Sequence, residues 1–211
     1  METNEKILKA LFWRPEYYGA LTDGGVPTLY RGLTGGLLKQ GHNCIFASGG
    51  RLDLDNRIKT FYIPYNKLFR NFPEVLCLPY NRKSIKHILK IIESEKPDFL
   101  FQHNHDFHYG GSMVKRKTGI PFLLHVDSVE YWVKKNWGKL YLSKFLKEAE
   151  EIQWYNADAI FVISEVVKNQ LVDLGVNSQK IVINPNGVDP DFFSPDADRK
   201  STRLNSSHRI R

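Results

Sequence analysis

Histidines and carboxylates crowd a short stretch of the chain that directly follows an apolar run. His103, His105 and Asp106, with His108 close behind, come after the letters PDFLFQ. Imidazole and carboxylate are common metal ligands, so a metal site is one interpretation of this stretch. No fixed ligand spacing fits, however, and we favour a polar cleft wall that binds substrate hydroxyls without a metal.

A second stretch places His125, Asp127 and Glu130 at or just past the apolar run IPFLLHV. A carboxylate at this point can orient a hydroxyl or stabilise developing positive charge, so these three residues are the candidate catalytic groups. A structural alternative stays open. Asp127 or Ser128 can cap the segment that follows, and His125 can be an interior histidine with a hydrogen-bond partner.

Two glycines, Gly24 and Gly25, stand directly before a predicted helix, with Pro27 near its first turn. Backbone N–H groups at such a helix start can bind a phosphate or a sugar oxygen. A tight turn capped by Asp23 fits the same letters equally well. The G-x-G-x-x-G spacing is absent, which weakens a dinucleotide-binding interpretation.

Short apolar runs that alternate with helical patterns must position these residues. We predict strands at 6–13, 43–48, 58–65, 97–103, 120–126, 157–164 and 180–185. We predict helices at 26–40, 84–92, 110–118, 137–155 and 165–174, with Gly41 and Gly175 ending the first and the last. Nearly all-apolar strands between helices indicate an α/β fold with a Rossmann-like, doubly wound parallel sheet. Ligands bind beyond the carboxyl ends of such strands, which is where the candidate residues stand.

Charge and composition exclude several classes of protein. The net charge is +7, but residues 199–211 hold five Lys/Arg and no acid, so residues 1–198 carry only about +2. A nucleic-acid partner is therefore not expected. Cys44 and Cys77 lack metal-site spacing and are predicted to be reduced thiols. No apolar run approaches the ~18 residues that a membrane span needs.

An aromatic and lysine-rich segment occupies residues 131–151, YWVKKNWGKLYLSKFLKEAEE. Trp132, Trp137, Tyr141 and Phe145 alternate there with lysines, a pattern that can lie on an anionic bilayer. We favour the commoner arrangement, an amphipathic helix whose aromatic rings pack inward and whose lysines are solvated.

The longest recognisable pattern occupies residues 157–195, ADAIFVISEVVKNQLVDLGVNSQKIVINPNGVDPDFFSP. It closely resembles the end of the N-terminal domain of the retaining GT-B-fold glycosyltransferases of the family 4 type. The shared features are Ser164-Glu165 after a strand, Gly175-Val176, Asn186-Gly187-Val188-Asp189, and Phe193 before Pro195. The resemblance extends over about residues 6–195 and includes the Gly24-Gly25 pair.

This resemblance implies transfer of a sugar from a nucleotide-sugar to a glycan or glycolipid acceptor, with retention at the anomeric carbon and no metal or cofactor. It places the protein in the cytoplasm, as in polysaccharide biosynthesis, with peripheral contact at the inner membrane face as one option. Residues 1–197 then form the N-terminal, acceptor-side domain. The donor-binding domain is absent, so we expect the chain as written to be nearly inactive.

The resemblance also sorts the site residues. It adds Ser164 and Asn186 to Gly24, Gly25, His103, His105 and Asp106 as candidates for substrate or phosphate binding. Many relatives carry a histidine just past the fifth strand, where this chain has Asp127, with His125 two residues earlier. Either residue can fill the catalytic position.

Three other functions stay open on the sequence alone. A single-domain nucleotide-binding module or oxidoreductase would use Asp53 or Asp55 after the second strand, but the glycine fingerprint is missing. A nucleic-acid-binding protein would need a basic stripe outside the tail. A natural single-domain subunit could pair with a separate donor-binding subunit. Residues 198–211 resemble the translation of a sequencing-library adapter, and we expect them not to be native.

Overall fold

The centre of the computed structural model is a sheet of seven strands, all parallel, in the order β3-β2-β1-β4-β5-β6-β7. The structure describes residues 6–15, 25–64, 73–138 and 141–187. The strands are β1 (Lys9–Arg14), β2 (Asn43–Ser48), β3 (Lys59–Tyr62), β4 (Phe99–His103), β5 (Phe122–Val126), β6 (Ala159–Val162) and β7 (Ile181–Ile183). The order reverses direction next to β1, as expected of a doubly wound sheet, so the predicted fold class is confirmed.

Six α-helices and a short 3₁₀ helix, Ser178–Lys180, connect these strands within the described residues. The α-helices are α1 (Gly25–Lys39), α2 (Pro73–Glu95), α3 (Gly110–Thr118), α4 (Glu130–Trp137), α5 (Ser143–Asn156) and α6 (Glu165–Asp173). Side chains of α1 pack into one buried cluster with β2, while side chains of α2, α3, α5 and α6 pack into another. The strands are therefore covered by helices on both faces, which explains why their sequences are almost wholly apolar.

The predicted ends of two helices are confirmed by backbone geometry. Gly41 has φ +82°, and the N–H of His42 donates to the carbonyl of Leu37 at 2.9 Å. Gly175 has φ +88°, and the N–H of Val176 donates to Leu171 at 3.0 Å. Both are left-handed terminations that glycine adopts without a Cβ penalty.

Two helical predictions were wrong in extent. Helix α2 begins at Pro73 rather than residue 84, and it continues through Pro79. The helix predicted over 137–155 begins later, at Ser143 of α5, because Trp137 is the last residue of the separate helix α4 and Gly138 follows in an extended conformation. The expectation of inward-packed aromatics fails for Trp137 and Tyr141, which are 77% and 83% exposed.

Close packing joins α3 to the sheet. A Cβ on Gly110 would overlap the indole of Trp13, and one on Gly111 would overlap the ring of Phe122. Only glycine lets the helix start approach this closely, so the glycine pair after the histidine-rich loop has a packing role. Cys44 and Cys77 are free thiols, as predicted. Both are also buried, and burial raises the pKa of each thiol to about 11. No helix in the described ranges is long and apolar enough to cross a bilayer.

Candidate functional site

The candidate site is assembled where β4 and β5 end side by side. His103 and His125 are register partners on these neighbouring strands. The N–H of Asn104 donates to the carbonyl of His125 at 2.7 Å, which extends the pairing one step past the strands. The two stretches that the sequence singled out separately are therefore adjacent in space.

A carboxylate and two imidazoles form the centre of this site. Asp127 Oδ2 lies 3.2 Å from His103 Nε2, and Asp127 Oδ1 lies 3.6 Å from His125 Nδ1. The three possible ligand atoms lie within 4.8 Å of one another, close enough for the group to hold a metal ion. The same arrangement also serves as a hydrogen-bonded carboxylate that accepts from a hydroxyl, since 28% of the Asp127 side chain is exposed.

Burial and hydrogen bonding act in opposite directions on Asp127. Burial disfavours its charged form, but hydrogen bonds from His103 and Asn186 and the nearby imidazoles outweigh burial, so the pKa of Asp127 lies below its usual value. His125 is fully buried, and this burial together with His103 lowers its pKa to about 4 despite Asp127. At neutral pH the site therefore presents an ionised Asp127 over a neutral His125.

Full burial changes the role available to His125. Its side chain has 0% exposure, so it is closed to solvent and to any substrate in this structure. Within the described part of the chain neither of its ring nitrogens has a hydrogen-bond partner. His125 thus lies beneath Asp127 in this structure, which fits a positioning role better than the catalytic one considered from the sequence.

A second set of charged side chains, Asp106, Lys134 and Glu130, lies next to Asp127 and the two histidines. Lys134 Nζ of α4 lies 2.7 Å from Asp106 Oδ2. Burial opposes ionisation of Asp106, but the charges of His105 and Lys134 prevail and lower its pKa. Burial and the charge of Asp106 raise the pKa of Glu130 above its usual value. Neighbouring carboxyls with diverging pKa values are a pattern that general acid and base groups share.

A buried network fixes the backbone from which Glu130 projects. Glu150 of α5 is fully buried and accepts the N–H groups of Glu130 and Tyr131, both at 2.8 Å. It also accepts from Asn104 Nδ2 at 2.9 Å. Helix α4 has no side-chain cap of its own at Val129, so a carboxylate from another helix satisfies its first N–H groups. Burial raises the pKa of Glu150 to about 7 against these three hydrogen bonds.

The network continues under the sheet edge. Gln102 Nε2 donates to Gln153 Oε1 at 2.7 Å, and Gln153 Nε2 reaches Asn104 Oδ1 at 3.4 Å. Sequence reasoning missed Glu150, Gln153, Gln102 and Asn104. The one signal available was polar residues at core-facing positions of α5 and at the end of β4.

His108 lies in the core and not in the candidate site. It is 1% exposed, and its ring meets Trp13 edge-on at 4.7 Å between centroids. The N–H of Gly110 donates to its Nδ1 at 3.3 Å, and its Nε2 lies 3.4 Å from the hydroxyl of Ser84. Burial lowers the pKa of His108 far below its usual value, so the ring is neutral. The three histidines of the loop therefore do not converge on one metal.

The remaining candidates fall at different places. Ser164 caps α6, and its hydroxyl accepts the N–H of Val167 at 3.4 Å, which is a structural role. Asn186 follows β7 and hydrogen-bonds Asp127, which ties the end of the sheet to the site. Gly25 is the first residue of α1, while Gly24 and the tail at 198–211 lie outside the described residues.

Comparison with known proteins shows the family to which this chain belongs. The model of the family described as Glycosyltransferase Family 4 matches residues 23–192. Among curated proteins, none matches the sequence significantly.

Solved structures share the fold at low sequence identity. A glycosyltransferase from Rickettsia africae has a TM-score of 0.59 and 20% identity, over 96% of this chain and 50% of that one. HepE from Anabaena, in complex with UDP-glucose, has a TM-score of 0.57 and 12% identity, over 95% and 50%. A UDP-GlcNAc 2-epimerase from Neisseria meningitidis, bound to UDP-GlcNAc, has a TM-score of 0.62 and 14% identity, over 95% and 52%. The chain thus spans about half the length of these structures, and its Rossmann-like sheet is one half of a GT-B fold.

Proposed function

Because the chain belongs to glycosyltransferase family 4, we propose that it forms the acceptor-side half of a retaining GT-B enzyme. That enzyme moves a sugar from a nucleotide-sugar to a glycan or glycolipid, as in polysaccharide biosynthesis. The observation that carries the proposal is the family match over residues 23–192. The nucleotide-sugar donor is supported by the UDP-glucose that HepE binds on the same fold.

Asp127 is the residue that we assign to the reacting sugar. It is ionised, partly exposed and oriented by a hydrogen bond with His103 at 3.2 Å. An oriented carboxylate can accept a hydrogen bond from the acceptor hydroxyl and stabilise positive charge that develops at the anomeric carbon. It stands where the resemblance places a histidine in many relatives.

Glu130 and His125 complete the catalytic proposal with different roles. Glu130 receives a hydrogen bond from Ser128 at 2.8 Å, and its pKa lies above that of an ordinary glutamate, so its carboxylate is a stronger base that can take the proton which the acceptor hydroxyl loses. His125 acts through Asp127, as a neutral ring that supports the carboxylate from below. We propose that His103, His105, Asp106 and Asn186 form the polar wall that receives acceptor hydroxyls, and, from the resemblance alone, that Gly24 and Gly25 bind the donor phosphate.

We propose that residues 1–211 alone transfer little sugar. A cleft between two domains orients two substrates and excludes water, and one wall of a cleft does neither. The support is the coverage of about half of each neighbouring structure. We further propose that transfer needs no metal. The protein would act at the cytoplasmic side, in peripheral contact with the inner membrane face through the exposed rings of Trp132, Trp137 and Tyr141.

A nucleotide-binding module or oxidoreductase is less well supported. Asp55 is the carboxylate that would hold a ribose, but it is already engaged by Arg57, with Nη2 at 2.7 Å from Oδ2. Arg57 lowers the pKa of Asp55 to about 2 through this pairing. Calorimetry with NAD separates the two functions, and we expect no binding.

The test is a pair of substitutions in the chain extended into its second domain from genomic DNA. Asp127→Asn should lower the transfer rate at least 100-fold, since removing one group that stabilises transition-state charge has effects of this order. Asp173→Asn, an exposed aspartate of α6, is the matched control and should change nothing. Equal activity of Asp127→Asn and wild type, or a transfer rate that disappears with EDTA and returns with Mn²⁺, would overturn these assignments.

A further inference from the structure

His125 is a buried histidine whose ring nitrogens are unsatisfied within the described part of the chain. Its side chain has 0% exposure, and neither Nδ1 nor Nε2 has a hydrogen-bond partner there. His103 Nδ1 and Asp127 Oδ1 are likewise buried without a hydrogen-bond partner among the described residues. Buried polar atoms are nearly always hydrogen-bonded, because an unpaired one costs free energy. Unsatisfied atoms on three neighbouring side chains therefore indicate a ligand that the three share.

The polar atoms of these side chains have the separations of ligands that surround one metal ion. Asp127 Oδ2 lies 3.2 Å from His103 Nε2, and Asp127 Oδ1 lies 3.6 Å from His125 Nδ1. Two ligands that bind Zn²⁺ at about 2.1 Å in a tetrahedron lie about 3.4 Å from each other, between these two values. One atom from each residue falls within 4.8 Å of the others. Small side-chain rotations would therefore close the three ligands around an ion.

The chemistry of these ligands favours zinc over the hard cations. Zn²⁺ binds imidazole nitrogen and carboxylate oxygen, and sites with three protein ligands keep water in the fourth position. Mg²⁺ and Ca²⁺ prefer ligand sets made of oxygen. The Asp127 side chain is 28% exposed, whereas His125 is closed to solvent. The ion would therefore enter past Asp127, and the water would occupy the side that faces solvent.

The surroundings of the two rings predict reversible binding and not a permanent structural ion. A metal-binding imidazole usually donates its other N–H to a protein group, and loss of that partner weakens binding about 10–100-fold. The other ring nitrogens, His103 Nδ1 and His125 Nε2, have no such partner among the residues that the structure describes. Structural zinc sites begin at a Kd of about 50 nM. We therefore expect a Kd on the order of 1 µM for this site.

We propose that His103 Nε2, His125 Nδ1 and one carboxylate oxygen of Asp127 bind Zn²⁺ reversibly, with water as the fourth ligand, and that the bound ion inhibits the enzyme. When the ion binds, the hydrogen that His103 Nε2 donates to Asp127 moves to Nδ1, so that Nε2 presents its lone pair. The inhibition rests on the proposed function, because the ion takes the oxygen of Asp127 that the acceptor hydroxyl needs. Zinc is thus an inhibitor at this site and not a cofactor of transfer.

Competition between residues 1–211 and a chromophoric zinc chelator at neutral pH tests the binding directly. We expect one Zn²⁺ per chain with a Kd of about 1 µM and no measurable binding of Mg²⁺. His103→Gln and Asp127→Asn should each weaken zinc binding at least about 100-fold, since a direct ligand contributes more than its outer partner. His87→Gln, whose ring contacts the Lys83 carbonyl of α2 at 2.8 Å, is the matched control and should bind zinc as wild type does. All variants keep residues 198–211, so any zinc on His208 cancels in the comparison.

Urea unfolding with and without zinc gives a second readout that needs no catalysis. Zn²⁺ at about 100 µM, 100 times the expected Kd, should shift the unfolding equilibrium of wild type about 100-fold towards the folded state. His125→Gln should remove this shift, and His103→Gln, nearer the surface, should remove it as well. A shift that both variants retain would overturn the zinc site, as would a Kd above about 100 µM or equal binding of Mg²⁺.

Transfer by residues 1–197 joined to the donor-binding domain separates this proposal from the proposed function. The same zinc concentration should lower the transfer rate about 100-fold, and EDTA should restore it. If wild type does not bind zinc but transfers sugar, the zinc site is wrong and the proposed function stands. If zinc binds through the three residues without slowing transfer, the inhibition is wrong, and so is the assignment of Asp127 to the reacting sugar.

Discussion

The pH dependence of stability should reveal Glu150, the buried carboxyl that holds the start of α4. Its pKa rises from 4.5 to about 7 on folding, chiefly because burial disfavours the charge. Below pH 4.5 the group is protonated in both states and contributes nothing to the pH dependence. Between 4.5 and 7 the unfolded chain loses this proton while the folded chain keeps it, so the free energy of unfolding falls as pH rises.

The size of this effect follows from the two pKa values. A shift of 2.5 units at ~1.4 kcal/mol per unit corresponds to about 3 kcal/mol, lost progressively up to pH 7 and absent below pH 4.5. Glu150→Gln removes the titration but keeps an acceptor for part of the network. Part of this effect is already lost at pH 5, so the variant should gain about 2–3 kcal/mol relative to wild type between pH 5 and pH 8, whatever its offset at pH 5.

Urea unfolding at pH 5, 6, 7 and 8 measures this difference, with fluorescence of the buried Trp154 on the same helix as the probe. Other titrating groups cancel because they are common to both proteins. Glu148→Gln, at an exposed position of α5, serves as the control and should show no pH-dependent difference. A Glu150→Gln difference that stays constant from pH 5 to 8 would refute the assignment of a raised pKa to Glu150.

Three substitutions test the packing and the caps by urea or thermal unfolding. Gly111→Ala should lower the free energy of unfolding by about 1–3 kcal/mol, because the new Cβ overlaps the Phe122 ring. Gly36→Ala in α1 has open space around the new Cβ and should be neutral or stabilising. Equal effects of the two substitutions would contradict the close approach of α3 to the sheet. Asn81→Ala should lower the free energy of unfolding by about 2 kcal/mol, because Asn81 accepts the N–H of Tyr109 and donates to the carbonyls of Cys77 and Phe107. An unchanged free energy of unfolding would show that these hydrogen bonds do not stabilise the segment after β4. Ser164→Ala should lower the free energy of unfolding by about 1 kcal/mol because α6 loses its N-cap, whereas Ser164→Asp should stay close to wild type. Equal melting temperatures of all three proteins would contradict a capping role for Ser164.

The parallel sheet could be predicted because its strands carry their own signal. The inner strands β1, β2, β4 and β5 are short, largely apolar and almost wholly buried, whereas the edge strands β3 and β7 are partly exposed. The polar residues that follow β4 and β5 mark the carboxyl edge. That edge brought His103 next to Asp127, as the topology requires. The helix ends at Gly41 and Gly175 could also be predicted, because the signal is a single glycine at the end of each helical pattern.

Long-range features could not be predicted in this way. The cap of α4 comes from Glu150, twenty residues further along the chain, and nothing near Val129 indicates it. Helix α2 extends to Pro73 because packing of Cys77 and Tyr80 outweighs the helix-breaking tendency of Pro79. Trp137 and Tyr141 lie outside the core. Helix α4 ends at Trp137 and Gly138 is extended, so the single helix that was expected to direct both rings inward does not form.

The most direct test of the proposed function compares sugar transfer by residues 1–211 with transfer by an extended protein, in which residues 1–197 are joined to the donor-binding domain that the proposal requires. Mass spectrometry of acceptor incubated with a panel of nucleotide-sugars gives the readout. We expect a product one sugar heavier, with the anomeric configuration of the donor retained, from the extended protein and almost none from residues 1–211. Transfer by residues 1–211 at a comparable rate, or an extended protein that only epimerises the nucleotide-sugar, would contradict it.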